Sequence, residues 1–276
     1  MPDNSIGTPL PTEIDTTIAH EARVYDYWLG GKENYPADRA LGDIIAGHIP
    51  TIKTMARANR AFLGRAVRYL VNEAGITQFL DIGTGIPTAG NTHEVAQQLD
   101  PAARIAYVDK DPIVLAHARA LMDSTPQGRT QFLHADLHDP RSILDHPALA
   151  ETLDLSQPVA IMLVAIMMYF HDNDHPEEII ATLLDAVPTG SYLVITHPTA
   201  DFDPEAMAGV AASAQASGID FHPRSKSETA ALFEGTILVD PGISPVATWR
   251  TDLTDRPAAV EDADSAWYWS GIGRKA

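Results

Sequence analysis

A short apolar strand that ends in an acid and runs into two glycines, Phe79–Gly85 (FLDIGTG), places the strongest constraint on the fold of this chain. An apolar run bounded by glycines is typical of a strand buried in a parallel sheet. Gly83 and Gly85 let the backbone turn tightly and approach a ligand closely. Because ligands of open α/β sheets bind beyond the carboxyl ends of the strands, the segment predicts a ligand loop at that edge.

Strand-like and helical segments alternate through the rest of the chain. Further strands are predicted at Arg104–Asp109, Thr130–Ala135, Val159–Met167 and Tyr192–Thr196, with late strands at Ile237–Val239 and Trp267–Gly271. Helices are predicted at Asn91–Leu99, Pro112–Met122, His175–Val187, Pro204–Ser217 and Ser227–Phe233. This alternation indicates an α/β fold, with a mostly parallel Rossmann-like sheet, helices on both faces and a late antiparallel strand.

Before the first strand the pattern is helical. We predict a flexible arm over residues 1–15, an N-terminal helical cap or lid over 16–74, and one α/β domain over 75–276 that integrates with the cap. Helices in the cap are predicted at Ala37–Ala46 and Thr51–Asn72, with YDYWLGGKENY lying between helices and broken at Gly30–Gly31.

Composition narrows the class of protein. With 276 residues and 45% hydrophobic content the chain can bury a sizeable core. Its net charge of −18 repels phosphate backbones and anionic membranes, so we expect neither nucleic acid nor membrane as a partner. There is no cysteine, which fits a reducing compartment, and the first residues lack the pattern of a signal peptide, so we expect a cytoplasmic protein.

Acids stand at the ends of three successive predicted strands: Asp81, Asp109 and Asp136. A carboxylate at the second position can accept hydrogen bonds from ribose hydroxyls. A side chain at the third could accept a bond from an exocyclic adenine amine. Together with the glycines, the three acids predict a nucleoside-type ligand.

The loop differs from a dinucleotide fingerprint, which reads GxGxxG. Here the string is GTGIPTAG, with Thr88 where the third glycine would stand and Pro87 within the turn. Asp81 would also place a negative charge near a pyrophosphate. S-adenosylmethionine carries an ammonium and a sulfonium and no phosphate, so electrostatics favour it over NAD.

The motifs resemble a known family. FLDIGTGIPTAGNTHEVAQ followed by RIAYVDKDPIVLAHARALM is similar to the first two motifs of class I S-adenosylmethionine-dependent methyltransferases. RVYDYWLGGKENYPADR resembles the N-terminal signature, YDYxLGGKxN, of a largely uncharacterised family of these enzymes, as do ARANRAFLGRAVRYL and the ending SGIGRK. The resemblance extends from about residue 20 to the end of the chain.

The resemblance implies roles for particular residues. Asp81, Gly83, Thr84 and Gly85 would hold the methionine part and shape the loop. Asp109, with Lys110 beside it, would bind the ribose. The remaining implied positions are Asp136 and Leu137 around the adenine, and Ala165 to Met167 facing the methyl donor.

The catalytic residues are not implied by the resemblance, because AIMMYFHD stands where many methyltransferases carry an acidic or aromatic motif. His171 is a weak candidate for a general base, and Tyr25 and Asp26 are others. His171 and His175 are four residues apart in a predicted loop, where that spacing has no helical meaning, and we predict no metal site. A lid over cofactor and acceptor could include Tyr25, Asp26, Tyr27, Lys32 and Asn34, and Arg60 could reach the loop or the acceptor.

The function expected is methyl transfer from S-adenosylmethionine to an unidentified acceptor, with a small molecule favoured by the charge. Two alternatives remain at this point. One is a regulatory protein that binds S-adenosylmethionine or S-adenosylhomocysteine without transfer, and the other is an NAD-type oxidoreductase. The oligomeric state is not predicted.

Overall fold

A computed structural model describes residues 15–111, 114, 124–254 and 265–276. The predicted helix at Pro112–Met122 and most of the predicted arm lie outside the described residues, apart from Val114 and the last position of the arm. The described part has an α/β fold in which helices pack around one central sheet, as the alternating pattern predicts.

Among the described residues the central sheet has eight strands, seven of them in the order β3-β2-β1-β4-β5-β8-β6, with β7 paired to β8. The first five strands run parallel and the last three pair antiparallel, which confirms the predicted mostly parallel, Rossmann-like sheet with late antiparallel pairing. The strands are β1 (Gln78–Ile82), β2 (Arg104–Asp109), β3 (Arg129–His134), β4 (Ala160–Val164), β5 (Tyr192–Pro198), β6 (Thr236–Leu238), β7 (Ser244–Pro245) and β8 (Tyr268–Lys275).

The sheet separates two layers of core side chains because alternate residues of each strand face opposite sides. Phe79 of β1 packs into one layer with the N-terminal helices, while Leu80 and Ile82 pack into the other. The described α-helices are α1 (Glu21–Leu29), α2 (Pro36–His48), α3 (Ile52–Asn72), α4 (Thr92–Leu99), α5 (Pro140–Leu144), α6 (Pro147–Thr152), α7 (Pro176–Asp185), α8 (Pro204–Ala216) and α9 (Lys226–Ala231). None of the helices in the described part is both long and apolar enough to cross a bilayer.

A buried ion pair joins the first two helices. Arg23 of α1 donates from Nε to Asp38 of α2 at 3.1 Å, and both side chains are almost fully buried. The Asp38 carboxylate also accepts the backbone N–H groups of His20, at 2.9 Å, and Tyr35, at 2.8 Å. Because three donors bind this buried carboxylate, it ties the start of α1 to the start of α2.

Several boundaries differ from the sequence-based expectation. The strand expected to reach Met167 ends at Val164, because Ala165 adopts a left-handed φ of 56° and residues Met167–Tyr169 form a 3₁₀ turn. The first half of YDYWLGGKENY is the end of helix α1, which stops at Gly30 with φ 82°. Helices α5 and α6 and strand β7 are further elements that the pattern did not predict.

Candidate active site: a cleft at the strand ends

A cleft lies at the carboxyl ends of the parallel strands, with about 1160 Å³ of empty space when the open solvent at its mouth is included. Its floor is the β1 loop, which bears Gly83 and Gly85, and its roof is helix α1. The three predicted strand-end acids, Asp81, Asp109 and Asp136, all line it. Other predicted residues in the lining are Thr84, Lys110, Leu137, Ala165, Arg60, Tyr25 and Asp26.

Asp81 is the most perturbed of the three acids. Its side chain is buried, and its Oδ2 accepts a 2.6 Å hydrogen bond from the Thr92 hydroxyl at the start of α4. Burial raises the pKa of Asp81 to about 6, against which the Thr92 bond and the nearby Arg60 cation act. Because burial disfavours the charged form of this carboxyl group, a cationic ligand beside it would stabilise the carboxylate.

Asp109 is held by the loop it faces. Its Oδ2 accepts the backbone N–H of Gly85 at 3.1 Å, and its Oδ1 accepts that of Asp111 at 2.9 Å. Burial raises the pKa of the Asp109 carboxyl, and the two backbone bonds lower it in part. The bonds fix the orientation of the carboxylate toward the cleft and leave lone pairs for further donors.

Asp136 lies at the far side of the cleft and is half exposed. Its Oδ1 accepts both the backbone N–H and the ring Nδ1 of His138, at 3.0 and 2.8 Å. Burial alone would raise the pKa of Asp136, but the bonds from His138 outweigh it and the pKa lies below its usual value. The His138 ring in turn stacks on Phe170 at 4.2 Å between centroids, so an aromatic pair borders this end.

The turn at Gly83 requires glycine. Its φ is 75°, and a Cβ there would lie 2.6 Å from Cδ1 of Ile166. The loop therefore presses against the turn that follows β4, which brings Ala165, Met168 and Tyr169 to the cleft.

Two observations test whether S-adenosylmethionine fits these residues. The Asn59 side chain is buried at the cleft, and its Oδ1 makes no hydrogen bond within the described part of the chain. This acceptor and the Asp81 carboxylate suit an ammonium group, and Asp109 suits a pair of ribose hydroxyls. This set of hydrogen-bond acceptors therefore fits the cofactor.

The same loop does not fit a pyrophosphate. Glu94 caps helix α4 by accepting the N–H groups of Gly90 and Asn91, at 2.6 and 3.1 Å, and Asn91 Oδ1 accepts the N–H of Thr88 at 3.3 Å. The amides that a dinucleotide would use at a helix start are thus bonded to side chains, and a carboxylate stands beside them. This arrangement weighs against the NAD alternative.

Five of the predicted residues lie elsewhere. Tyr27 faces outward between α1 and α2, where its hydroxyl donates to Asp43 at 2.8 Å, and Lys32 is exposed. Asn34 is buried away from the cleft and donates to Asp26 at 2.8 Å. Met167 is fully buried in the core layer opposite α1. The 3₁₀ turn changes which side chains face the cleft, so Met168 and Tyr169 line it in place of Met167.

His171 is the fifth. It lies on the outer rim, with its Nε2 2.6 Å from Nε2 of His222 and 3.6 Å from the Asp220 carboxylate. Ligand atoms of these three residues lie within 4.8 Å of one another, a grouping that the sequence analysis did not predict because Asp220 and His222 are distant in the chain. His171 is outside the lining of the cleft.

Sequence analysis missed the part of α1 that roofs the cleft. His20 and Glu21 line it together with Ala22, Tyr25 and Leu29, which share one face of the helix at three- and four-residue spacing. The spacing was available as a signal, but nothing local indicated that this face would cover the strand ends.

Comparisons with known proteins agree with this geometry. A family model described as S-adenosyl methyltransferase matches residues 7–276. A crystal structure of a DUF574-family protein from Streptomyces avermitilis MA-4680 is 44% identical with a TM-score of 0.91, covering 96% of this chain and 100% of that one. A candidate methyltransferase from Thermobifida fusca YX is 40% identical with a TM-score of 0.85, covering 95% and 96%.

A more distant structure shares the fold. The plantazolicin methyltransferase BpumL, solved in complex with S-adenosylhomocysteine, is 14% identical with a TM-score of 0.54, covering 92% of this chain and 95% of that one. No curated protein matches the chain.

Proposed function

The chain belongs to the S-adenosyl methyltransferase family, and from that premise we propose that it methylates a small molecule enclosed beneath helix α1. It is an S-adenosylmethionine-dependent methyltransferase, which agrees with the expected function, cofactor and enzyme class. The small size of the acceptor, the roles of individual residues and a cytoplasmic location are the parts that we propose.

The observation that carries the proposal is the roof of the cleft. Helix α1 lies over the strand ends, held there by the buried Arg23–Asp38 pair. An acceptor that reaches the reacting centre has to fit beneath this helix, which favours a small molecule over a folded protein or a nucleic acid. The net charge of −18 also disfavours nucleic acid.

We assign the cofactor to the cleft by its donors and acceptors. Asp81 and Asn59 Oδ1 would bind the ammonium, Asp109 the ribose, and Asp136 with Leu137 the adenine side. Bound there, S-adenosylmethionine supplies a methyl group already activated by its sulfonium. The chain then has to align the acceptor and exclude water, rather than supply a strong nucleophile.

The YDYWLGGKEN segment, which resembles a signature of the family, contributes to the roof in this proposal. Asp26 is buried, and it accepts the N–H of Glu33 at 3.0 Å and the Asn34 amide at 2.8 Å. A Cβ at Gly31 would collide with the Asp26 carboxylate. These contacts support a role in setting the end of α1 over the cleft, with Tyr25 and Asp26 facing the ligand and Lys32 outside.

Calorimetry tests the cofactor assignment. We expect S-adenosylmethionine and S-adenosylhomocysteine to bind the purified protein and NAD⁺ to give no heat. Binding of NAD⁺ alone would overturn the assignment.

Turnover separates an enzyme from a regulatory binding protein. With methyl-labelled cofactor and a panel of small acceptors, we expect label to appear in at least one acceptor. Saturable binding with no transfer to any small or macromolecular acceptor would support the regulatory alternative.

A further inference from the structure

A second cavity, which we call the chamber, adjoins the cleft on the side of the N-terminal helices. Its empty space, counted together with the solvent at its opening, is about 600 Å³, against about 1160 Å³ for the cleft counted in the same way. Helices α1, α2, α3 and α8 wall it, and Tyr268 of strand β8 contributes to its wall. Helices α2 and α8 pack against each other, and both contribute residues to the wall of the chamber.

The walls of the chamber are almost wholly apolar. Its aliphatic and sulfur-containing side chains are Val24, Leu41, Ile45, Ile49, Ile52, Met55, Met168, Met207, Val210, Ala214 and Ile219. No lysine, arginine or histidine of the described ranges lines it, and Glu21 is the one carboxylate there. An anion would enter without a counter-ion and meet a negative charge, and any ion would lose its hydration.

The chamber and the cleft meet at four residues that line both: Glu21, Tyr25, Met168 and Tyr169. Their polar atoms are the Glu21 carboxylate and two phenolic hydroxyls. Tyr25 already donates to the backbone oxygen of Ala56 at 3.1 Å and accepts from Asn59 at 3.0 Å. A ligand in the chamber would therefore find its polar contacts at this junction and not along the walls.

Tyr169 and Tyr268 are the other two tyrosines that line the chamber. Neither hydroxyl makes a hydrogen bond with a group in the described part of the chain, although Tyr268 is only 4% exposed. Both rings border the chamber. Neither hydroxyl is among the fully buried atoms that lack a partner, so both can reach a polar atom of a ligand in the chamber.

We propose that the acceptor is an uncharged, largely apolar small molecule whose ring or chain fills the chamber and whose hydroxyl group lies at the junction with the cleft. The apolar part replaces water against the walls, which stabilises binding by about 25 cal/mol per Å² buried. The hydroxyl both donates, to Glu21, and accepts, from Tyr169 or Tyr268. That the ligand is a methyl acceptor rests on the proposed function, but binding in the chamber can be tested separately.

The test measures the binding of three naphthalene probes to the intact protein by calorimetry at pH 7. We expect 2-naphthol to bind, and 2-naphthoate and 2-methoxynaphthalene to bind at least about tenfold more weakly, because they carry a charge or lack a donor. Equal affinity for 2-naphthoate would overturn the inference. Equal affinity for 2-methoxynaphthalene would overturn its hydroxyl part.

A matched pair of variants on helix α8 locates the probe. Ala214 is buried in the chamber wall, whereas Ala212 is exposed on the same helix. We expect Ala214→Trp to weaken 2-naphthol binding at least about tenfold and Ala212→Trp to leave it unchanged. If Ala214→Trp fails to fold, Val210→Phe serves, with the melting temperature as the check. Unchanged 2-naphthol affinity in a folded chamber variant would contradict the inference.

Titration of the same samples with S-adenosylmethionine separates this inference from the proposed function. The chamber variants should bind the cofactor as the unsubstituted protein does, because neither substituted residue lines the cleft. Binding of cofactor without 2-naphthol would sink the chamber alone. Binding of 2-naphthol without cofactor would sink the proposed function and leave the chamber.

Discussion

The cleft and the chamber share four residues, yet they are built on opposite principles. The cleft has the larger share of polar groups in its lining, among them three carboxylates at the ends of successive parallel strands. The chamber is apolar and gathers its walls from helices at both ends of the chain. The difference matches the two reactants of a methyl transfer, a cationic donor with many polar atoms and an acceptor that has to be held dry beside it.

The two cavities also depend on different stabilising forces. The cleft acids hold their places through hydrogen bonds to loop backbone and to neighbouring side chains, such as Asp109 to Gly85. The chamber depends on the position of helix α1 relative to α2, and a buried ion pair between the two helices fixes that position. Substitutions in the strand-end loops should therefore affect mainly the cleft, and substitutions at the ion pair should affect the chamber more than the cleft.

The largest effect is expected at the ion pair. Arg23→Met leaves the fully buried Asp38 carboxylate without its cation, which should cost about 3–5 kcal/mol of unfolding free energy. Because α1 and α2 wall the chamber, binding of 2-naphthol should fall more than binding of S-adenosylmethionine.

Denaturant unfolding and calorimetry measure both quantities. Arg57→Met, on the exposed face of α3, is the matched control and should change stability by no more than about 0.5 kcal/mol. Equal losses in the two variants would contradict the role of the pair.

A smaller effect, of opposite sign, is expected at Asp81. Burial raises its pKa from 3.8 to about 6, so its charge destabilises the ligand-free fold at neutral pH by at most about 3 kcal/mol. Asp81→Asn should therefore raise the melting temperature without ligand and weaken S-adenosylmethionine binding. A variant that lowered both would contradict the account.

The pH dependence gives a second check on Asp81. A folded-state pKa above the unfolded value stabilises the fold below pH 3.8, and this contribution is lost as pH rises through 6. The stability gain of Asp81→Asn should thus grow across that window and stay constant above about pH 7. A gain independent of pH would mean that the buried charge is not its cause.

At Asp109 the expected effect is on affinity. Loss of two charge-assisted hydrogen bonds to ribose in Asp109→Ala should weaken S-adenosylmethionine binding by about 10- to 100-fold. Asp100→Ala, at the opposite end of the strands from the cleft, is the matched control. Affinity for 2-naphthol should not change in either variant, and a loss there would show that the cavities are not independent.

The smallest effect is expected at Lys32. The sequence analysis placed it in a lid, but it is exposed and outside both cavities. Lys32→Ala should alter stability by less than about 0.5 kcal/mol and leave cofactor affinity unchanged. A large loss of turnover would instead support the predicted role of Lys32 in a lid over the acceptor.

The two cavities also differ in how far the sequence predicts them. Asp81, Asp109 and Asp136 follow apolar runs, and parallel strands end at one edge, so local pattern was enough to bring them together. Met167 was misplaced because one left-handed residue, Ala165, and a short 3₁₀ turn shift the phase of the side chains. That shift depends on tertiary packing, which a periodic pattern does not contain.

The chamber has no local signature at all. Val24 and Tyr268 border the same cavity from opposite ends of the chain. Each belongs to an ordinary apolar stripe, and only the packing of α1, α2 and α8 over the sheet leaves a space between them. The same reason explains why Glu21, on the roof of the cleft, escaped notice.

A crystal structure of the protein with S-adenosylhomocysteine and 2-naphthol tests the central claim most directly. We predict the nucleoside against Asp109 and Asp136, the naphthalene ring in the chamber, and the hydroxyl between Glu21 and Tyr169. Both ligands in the cleft, or 2-naphthol on the outer surface with the chamber closed, would contradict the division between the two cavities.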